Sequence, residues 1–195
     1  QAHDTFHLPK LTAKDFANNR RKVIIGMIDG QIITEDRGYA DHVDTEHDIL
    51  KMAVVERHRN TGHIGIGYLH GYGLTEGAIA TSVSHDSHNI ICVGCNDEDM
   101  AFAVNRIAEN KGGIVVVKDG TVLAELPLEI AGLMSSKPLT QVNDLLEHAK
   151  AAAHTLGVGT GIDPFMTLSF MALPVIPTVR LTTRGVVDVL TQQYI

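Results

Sequence analysis

Apolar and β-branched runs separated by turn residues set the rhythm of this chain. Val23–Ile28 is such a run, and Asp29-Gly30 after it is a strong hairpin signal before Gln31–Thr34. Asp48 can cap a helix in which Ile49, Leu50, Met52, Ala53 and Val54 form an apolar stripe ending near His58. Ile64, Ile66 and Tyr68 then alternate with glycines, which predicts a strand closely approached by another element or by a ligand. Residues 78–84 and 89–95 read as two strands flanking a polar run. Asn96–Asp99 is an acidic helix start, Met100, Val104, Ile107 and Ala108 share one face, and Gly112-Gly113 stops the helix. Asp119-Gly120 marks a second hairpin, between Ile114–Val117 and Thr121–Glu125. Val142, Leu145, Leu146, Ala149, Ala153 and Leu156 make a helical stripe closed by Gly157. Asp163-Pro164 opens a further helix, apolar almost all round and therefore expected to be buried, which Pro174 ends. The tail Val179–Val189 is strand-like.

Strands in hairpins with few helices between them predict an α+β (mixed α/β) fold. Its sheet or sheets should be mixed and largely antiparallel, with helices packed on the outer faces. Residues 1–22 read as an extended, polar lead-in and residues 23–195 as one domain, free of repeats, low-complexity stretches and linkers. The abrupt opening reads as that of a piece from something larger.

Composition narrows the partners. A net charge of −7, with Lys and Arg scattered, argues against nucleic acid or an anionic membrane. No apolar stretch approaches a membrane span, and the N-terminus has no signal-peptide core. Cys92 and Cys95 follow a β-type run and lack the further ligands a zinc site needs, so they read as structural thiols in a reducing, cytoplasmic setting.

The densest chemistry is His85-Asp86-Ser87-His88-Asn89, between two apolar strands. Imidazole beside carboxylate is the usual equipment for moving protons near neutral pH. The same groups can satisfy a polar turn, or lend two ligands to a metal whose others come from elsewhere. Ala80-Thr81-Ser82 leaves room nearby for a ligand. Glu56-Arg57-His58-Arg59 is a second candidate, either binding a substrate carboxylate or phosphate, holding a domain edge, or simply ending a helix with cations. His63 and His70, flanking the glycine-rich strand, read as surface or hydrogen-bonded histidines. P-loop, GxGxxG, GxSxG, HExxH and His-x-His motifs are all absent.

Three long blocks carry a resemblance. DILKMAVVERHRNTGHIGIGYLHGYGLTEGAIATSVSHDSHNIICVGCNDEDMAFAVNRI (48–107), GGIVVVKDGTVLAELPLEIAGLMS (112–135) and DPFMTLSFMALPVIP (163–177) resemble the C-terminal domain of microbial adenine deaminases. The resemblance runs in order from about residue 22 to 189. It implies a larger enzyme of the amidohydrolase superfamily, whose N-terminal (β/α) barrel uses a manganese or iron centre to activate water against C6 of adenine, giving hypoxanthine and ammonia. The barrel's metal ligands are not in this sequence, so the chain is expected to hold no metal and to be inert alone. Within the family pattern the block ATSVSHDSHNI is the loop expected to reach toward the barrel's active site. Its composition, not a family role, makes His85, Asp86 and His88 the candidates to assist proton transfer or contact the purine ring. Ser87 and Asn89 hydrogen-bond its nitrogens, with Arg57 and His58 as further substrate-binding candidates. The implied partners are adenine, the barrel of the same enzyme and further copies in a homo-oligomer. Two other readings stay open: a purely structural or oligomerisation module, and an independent metal-dependent hydrolase using His85, His88 and a distant ligand.

Overall fold

The computed structural model describes residues 2–195; Gln1, the first residue of the lead-in, lies outside the described residues. The first apolar run forms β1 (Lys22–Met27), which pairs antiparallel with β2 (Thr34–Ala40). The hairpin at Asp29-Gly30 forms, with Gly30 at φ 67°, but its second strand begins only at Thr34 and leaves Ile32 and Ile33 exposed in the connection.

One expected helix is a strand. The residues after Asp48 form β3 (Ile49–Val55), in which Leu50, Met52 and Val54 pack on one side and Ala53 and Val55 on the other. An apolar run buried on both faces satisfies a helical stripe as readily as a strand, and the neighbouring strands decide between them. Asp48 takes φ 53° after the short 3-10 turn Thr45–His47. Its carboxylate accepts the backbone N–H groups of Gly71 and Gly73, each at 2.8 Å.

β4 (Ile64–His70), β5 (Ala78–Thr81), β6 (Ile90–Gly94), β7 (Gly113–Lys118) and β8 (Thr121–Pro127) complete an eight-stranded sheet in the order β2-β1-β4-β3-β6-β5-β7-β8. β1 and β4 run parallel and every other neighbouring pair is antiparallel, so the sheet is mixed and largely antiparallel as expected. Asp119 and Gly120, both at positive φ, turn β7 into β8.

Helices cover both faces. A one-turn helix, α1 (Ala13–Phe16), and the long α2 (Asp97–Glu109) lie on one face, where Met100, Val104 and Ile107 meet Ala53, Ala80, Cys92 and Val115. On the other, α3 (Leu139–Thr155) and α4 (Pro164–Phe170) set Ala149, Ala153, Phe165 and Leu168 against Met52, Ile79, Val93 and Val116. The helix expected to be buried all round is buried on one side only, because Met166 of α4 is exposed. The tail forms a second sheet from β9 (Val179–Thr182), β10 (Gly185–Asp188) and β11 (Gln193–Tyr194). This small sheet is what the glycine-rich strand makes room for: a Cβ on Gly65 would lie 1.8 Å from the Thr182 carbonyl oxygen. The lead-in is mostly extended, yet it is fastened to the core. Leu11 and Phe16 are buried beside α2, and Leu11 exchanges hydrogen bonds with the Asn105 side chain.

Candidate functional site

The polar run is the connection from β5 to β6, and the fold holds it from several sides. Ser82 at its root donates to the Gly132 carbonyl at 2.6 Å and accepts the Gly113 N–H at 2.8 Å. The His85 N–H donates to the Ser169 carbonyl in α4, and the His85 ring lies against Phe170 with centroids 5.1 Å apart. Residues 84 and 88 close on one another: the His88 N–H donates to the Ser84 carbonyl at 2.7 Å, and the Ser84 N–H donates to His88 Nδ1 at 3.2 Å. His88 adopts φ 49°, a left-handed conformation uncommon for a residue with a side chain.

Arg57, two residues past the end of β3, is the main brace. It is 2% exposed, and its guanidinium donates to the carbonyls of His88 (2.6 Å), Thr5 (2.9 Å) and Ala131 (3.0 Å) and to the Thr5 hydroxyl. Phe6 covers it, with the ring centroid 4.2 Å from the guanidinium carbon. Burial lowers its pKa to about 10, opposed by the nearby Glu56 carboxylate, so it stays charged at neutral pH. This guanidinium is committed inside the fold: it holds the loop, where the sequence pointed to substrate. His58, which is exposed, meets the Ser87 carbonyl at 2.7 Å through Nε2. No helix ends here. The Glu56 carboxylate instead gathers the N–H groups of His58, Arg59 and Thr61 and the Thr61 hydroxyl into a tight loop. Burial raises the Glu56 pKa, but those donors together outweigh it and hold the carboxyl below its ordinary value.

The five candidates divide. Asp86, Ser87 and Asn89 line a cleft of about 340 Å³, with Pro174, Val175 and Thr182 opposite. Asp86 and Ser87 are exposed, while Asn89 is buried and donates from Nδ2 to the Ser87 hydroxyl oxygen at 3.0 Å, leaving that O–H free to donate. His85 and His88 do not line the cleft; their rings meet edge to face, 5.5 Å apart. Burial, then His85 and Arg57, lower the His88 pKa, with Asp86 opposing.

Two residues at this site carried no signal in the sequence. Ser84 is fully buried and its hydroxyl has no partner among the described residues. Arg180, inside β9 and 0% exposed, donates to the carbonyls of Ile176 and Phe170 and so fixes the far wall of the cleft. Both glycine-rich and apolar-strand patterns hide such residues, since alternation alone does not announce an inward polar group.

No group of three or more His, Cys, Asp or Glu side chains is gathered as a metal site among the described residues. The manganese or iron centre implied by the resemblance therefore finds no ligand set here, and His85 and His88 find no third donor. Cys92 and Cys95 are both free. Burial pushes the Cys92 thiol far above its ordinary value and that of Cys95 up to about 12, which keeps both protonated and unreactive. No helix among the described residues is long and apolar enough to cross a membrane.

Fold and site together define an α+β domain that braces a polar loop at the mouth of a cleft. The family model for the adenine deaminase C-terminal domain matches residues 26–193, and the chain belongs to that family. It is 48% identical to an adenine deaminase of Brucella abortus (strain 2308), across 93% of this chain and 33% of the relative. It is 46% identical to adenine deaminase 1 of Rhizobium meliloti, across 95% and 34%, and 48% identical to adenine deaminase 2 of Carboxydothermus hydrogenoformans, across 90% and 32%. The chain thus spans about a third of the length of the curated relatives it matches.

Proposed function

We propose that this chain works as the C-terminal part of an adenine deaminase, the enzyme that hydrolyses adenine to hypoxanthine and ammonia, and that its β5–β6 loop helps to close and complete the active site. The observation that carries this reading is the braced loop itself. Arg57 and His58 hold backbone oxygens of His88 and Ser87, so Asp86 and Ser87 stand exposed in a fixed arrangement at the mouth of the cleft. A polar loop held this firmly suits a ligand supplied across a domain boundary, because its groups need no reordering when that ligand arrives.

In this reading the metal, manganese or iron, belongs to an N-terminal barrel in the longer protein. The present chain contributes hydrogen bonds and proton handling. His85 and Asp86, adjacent and differently exposed, assist proton transfer at the purine; His88 contacts the ring; Ser87 donates to a ring nitrogen; Asn89 orients Ser87. Two free, protonated thiols suit a cytoplasmic setting. The domain also supports assembly, with homo-oligomers as the expected form of the longer protein.

The direct test compares this chain with the longer protein. A folded sample of the chain, given adenine and added manganese or iron, is expected to release no ammonia, while the longer protein releases it with turnover. Robust deamination by the chain alone would overturn the division of labour proposed here.

A further inference from the structure

We infer that His88 works as a neutral imidazole protonated on Nε2, donating a hydrogen bond to an acceptor nitrogen of the bound purine ring, and that it passes no proton. The inference rests on the adenine deaminase reading and deepens it by dividing the two histidines between different tasks.

The backbone settles the tautomer. The Ser84 N–H lies 3.2 Å from His88 Nδ1 and can only donate, so Nδ1 is the bare, accepting nitrogen and the ring proton sits on Nε2. The arrangement is locked by its reciprocal, the His88 N–H on the Ser84 carbonyl at 2.7 Å, and by Arg57 Nε on the His88 carbonyl at 2.6 Å. A second proton, on Nδ1, would set two donors against each other and leave the buried Ser84 N–H without an acceptor.

The charged and titratable groups around the ring act in the same sense, Asp86 excepted. His85 at 5.5 Å, the Arg57 guanidinium and His58 all disfavour a cation at His88, and Asp86 alone favours one. Nε2 has no hydrogen-bond partner among the described residues, and His88 is only part-buried, so this N–H is available to a ligand. A fixed donor calls for an acceptor. Adenine offers ring nitrogens that accept, whereas its exocyclic amine, the group that leaves, would meet Nε2–H donor to donor. His88 therefore favours a purine presented by a ring nitrogen and discriminates against the amine edge.

Two measurements test this. With the histidine rings of this chain labelled with ¹⁵N, and the His88 signals identified by their loss in His88→Gln, Nδ1 is expected to appear unprotonated and Nε2 protonated at pH 7.5. A protonated Nδ1, or an even mixture of the two tautomers, overturns the inference. In the longer protein, His88→Ala is expected to raise KM for adenine about tenfold, the worth of one hydrogen bond, with kcat changed less than about threefold. His88→Gln places an amide nitrogen where Nε2 stood and is expected to recover most of that KM. A fall in kcat of about a hundredfold in both variants is the mark of general acid–base catalysis and also overturns the inference. A longer protein that does not deaminate adenine removes the parent reading and with it the purine contact, while the nitrogen signals still decide the tautomer.

Discussion

Two buried guanidiniums, Arg57 and Arg180, do at this site what ion pairs do elsewhere. Each is surrounded by backbone carbonyls, with no carboxylate at bonding distance among the described residues, and each pins a segment bordering the cleft. A cation buried this way is tolerable because several oriented carbonyl dipoles replace its water, and removing it strands all of them at once. Arg57→Ala is expected to cost about 2–4 kcal/mol in urea denaturation. Arg57→Lys should recover only part of that loss, since an ammonium on a flexible stem cannot span oxygens set out for a planar fork. His88 adds a pH dependence whose sign follows from its lowered pKa. The unfolded chain binds a proton at His88 that the folded chain resists, so its contribution is present above the ordinary histidine value and is lost as pH falls through the folded one. Urea midpoints should therefore drop less between pH 7.5 and 5.5 in His88→Gln than in the parent protein.

At the level of elements, the sequence was most readable where geometry leaves little choice. The Asp119-Gly120 turn, the Asn96 cap of α2 and the Asp163-Pro164 start of α4 each need particular residue types, and each formed where expected. Asp163 accepts the N–H groups of Phe165 and Met166 and also pairs with Lys150, so Asp163→Ala should lower stability by about 1 kcal/mol in thermal melts. β3 was not readable, because its period is erased by burial on both faces, and what makes it a strand is β4 and β6 on either side. The glycine-rich strand announced a close approach without saying by what. Gly65→Ala drives a methyl group into the backbone of Thr182, and at least about 2 kcal/mol of destabilisation is expected, far above an ordinary surface glycine replacement. The candidate site was legible as a list of chemical groups. Its division was not: the same five residues place Asp86, Ser87 and Asn89 at a cleft and leave the imidazoles outside it, a consequence of how α4 and Arg57 grip the loop.

At the scale of the whole molecule, an eight-stranded sheet with helices on both faces carries the braced β5–β6 loop at the mouth of a cleft. The chain belongs to the adenine deaminase C-terminal domain family and spans about a third of the length of the curated relatives it matches. The central claim is that the β5–β6 loop belongs to the active site of the longer protein. The measurement that tests it most directly is kcat/KM for adenine in the longer protein carrying His85→Ala together with Asp86→Ala, with the melting temperature followed in parallel. The account predicts a loss of at least about a hundredfold, the scale of removed proton-transfer groups, with melting nearly unchanged. An unaltered kcat/KM in a protein with the same melting temperature would contradict it.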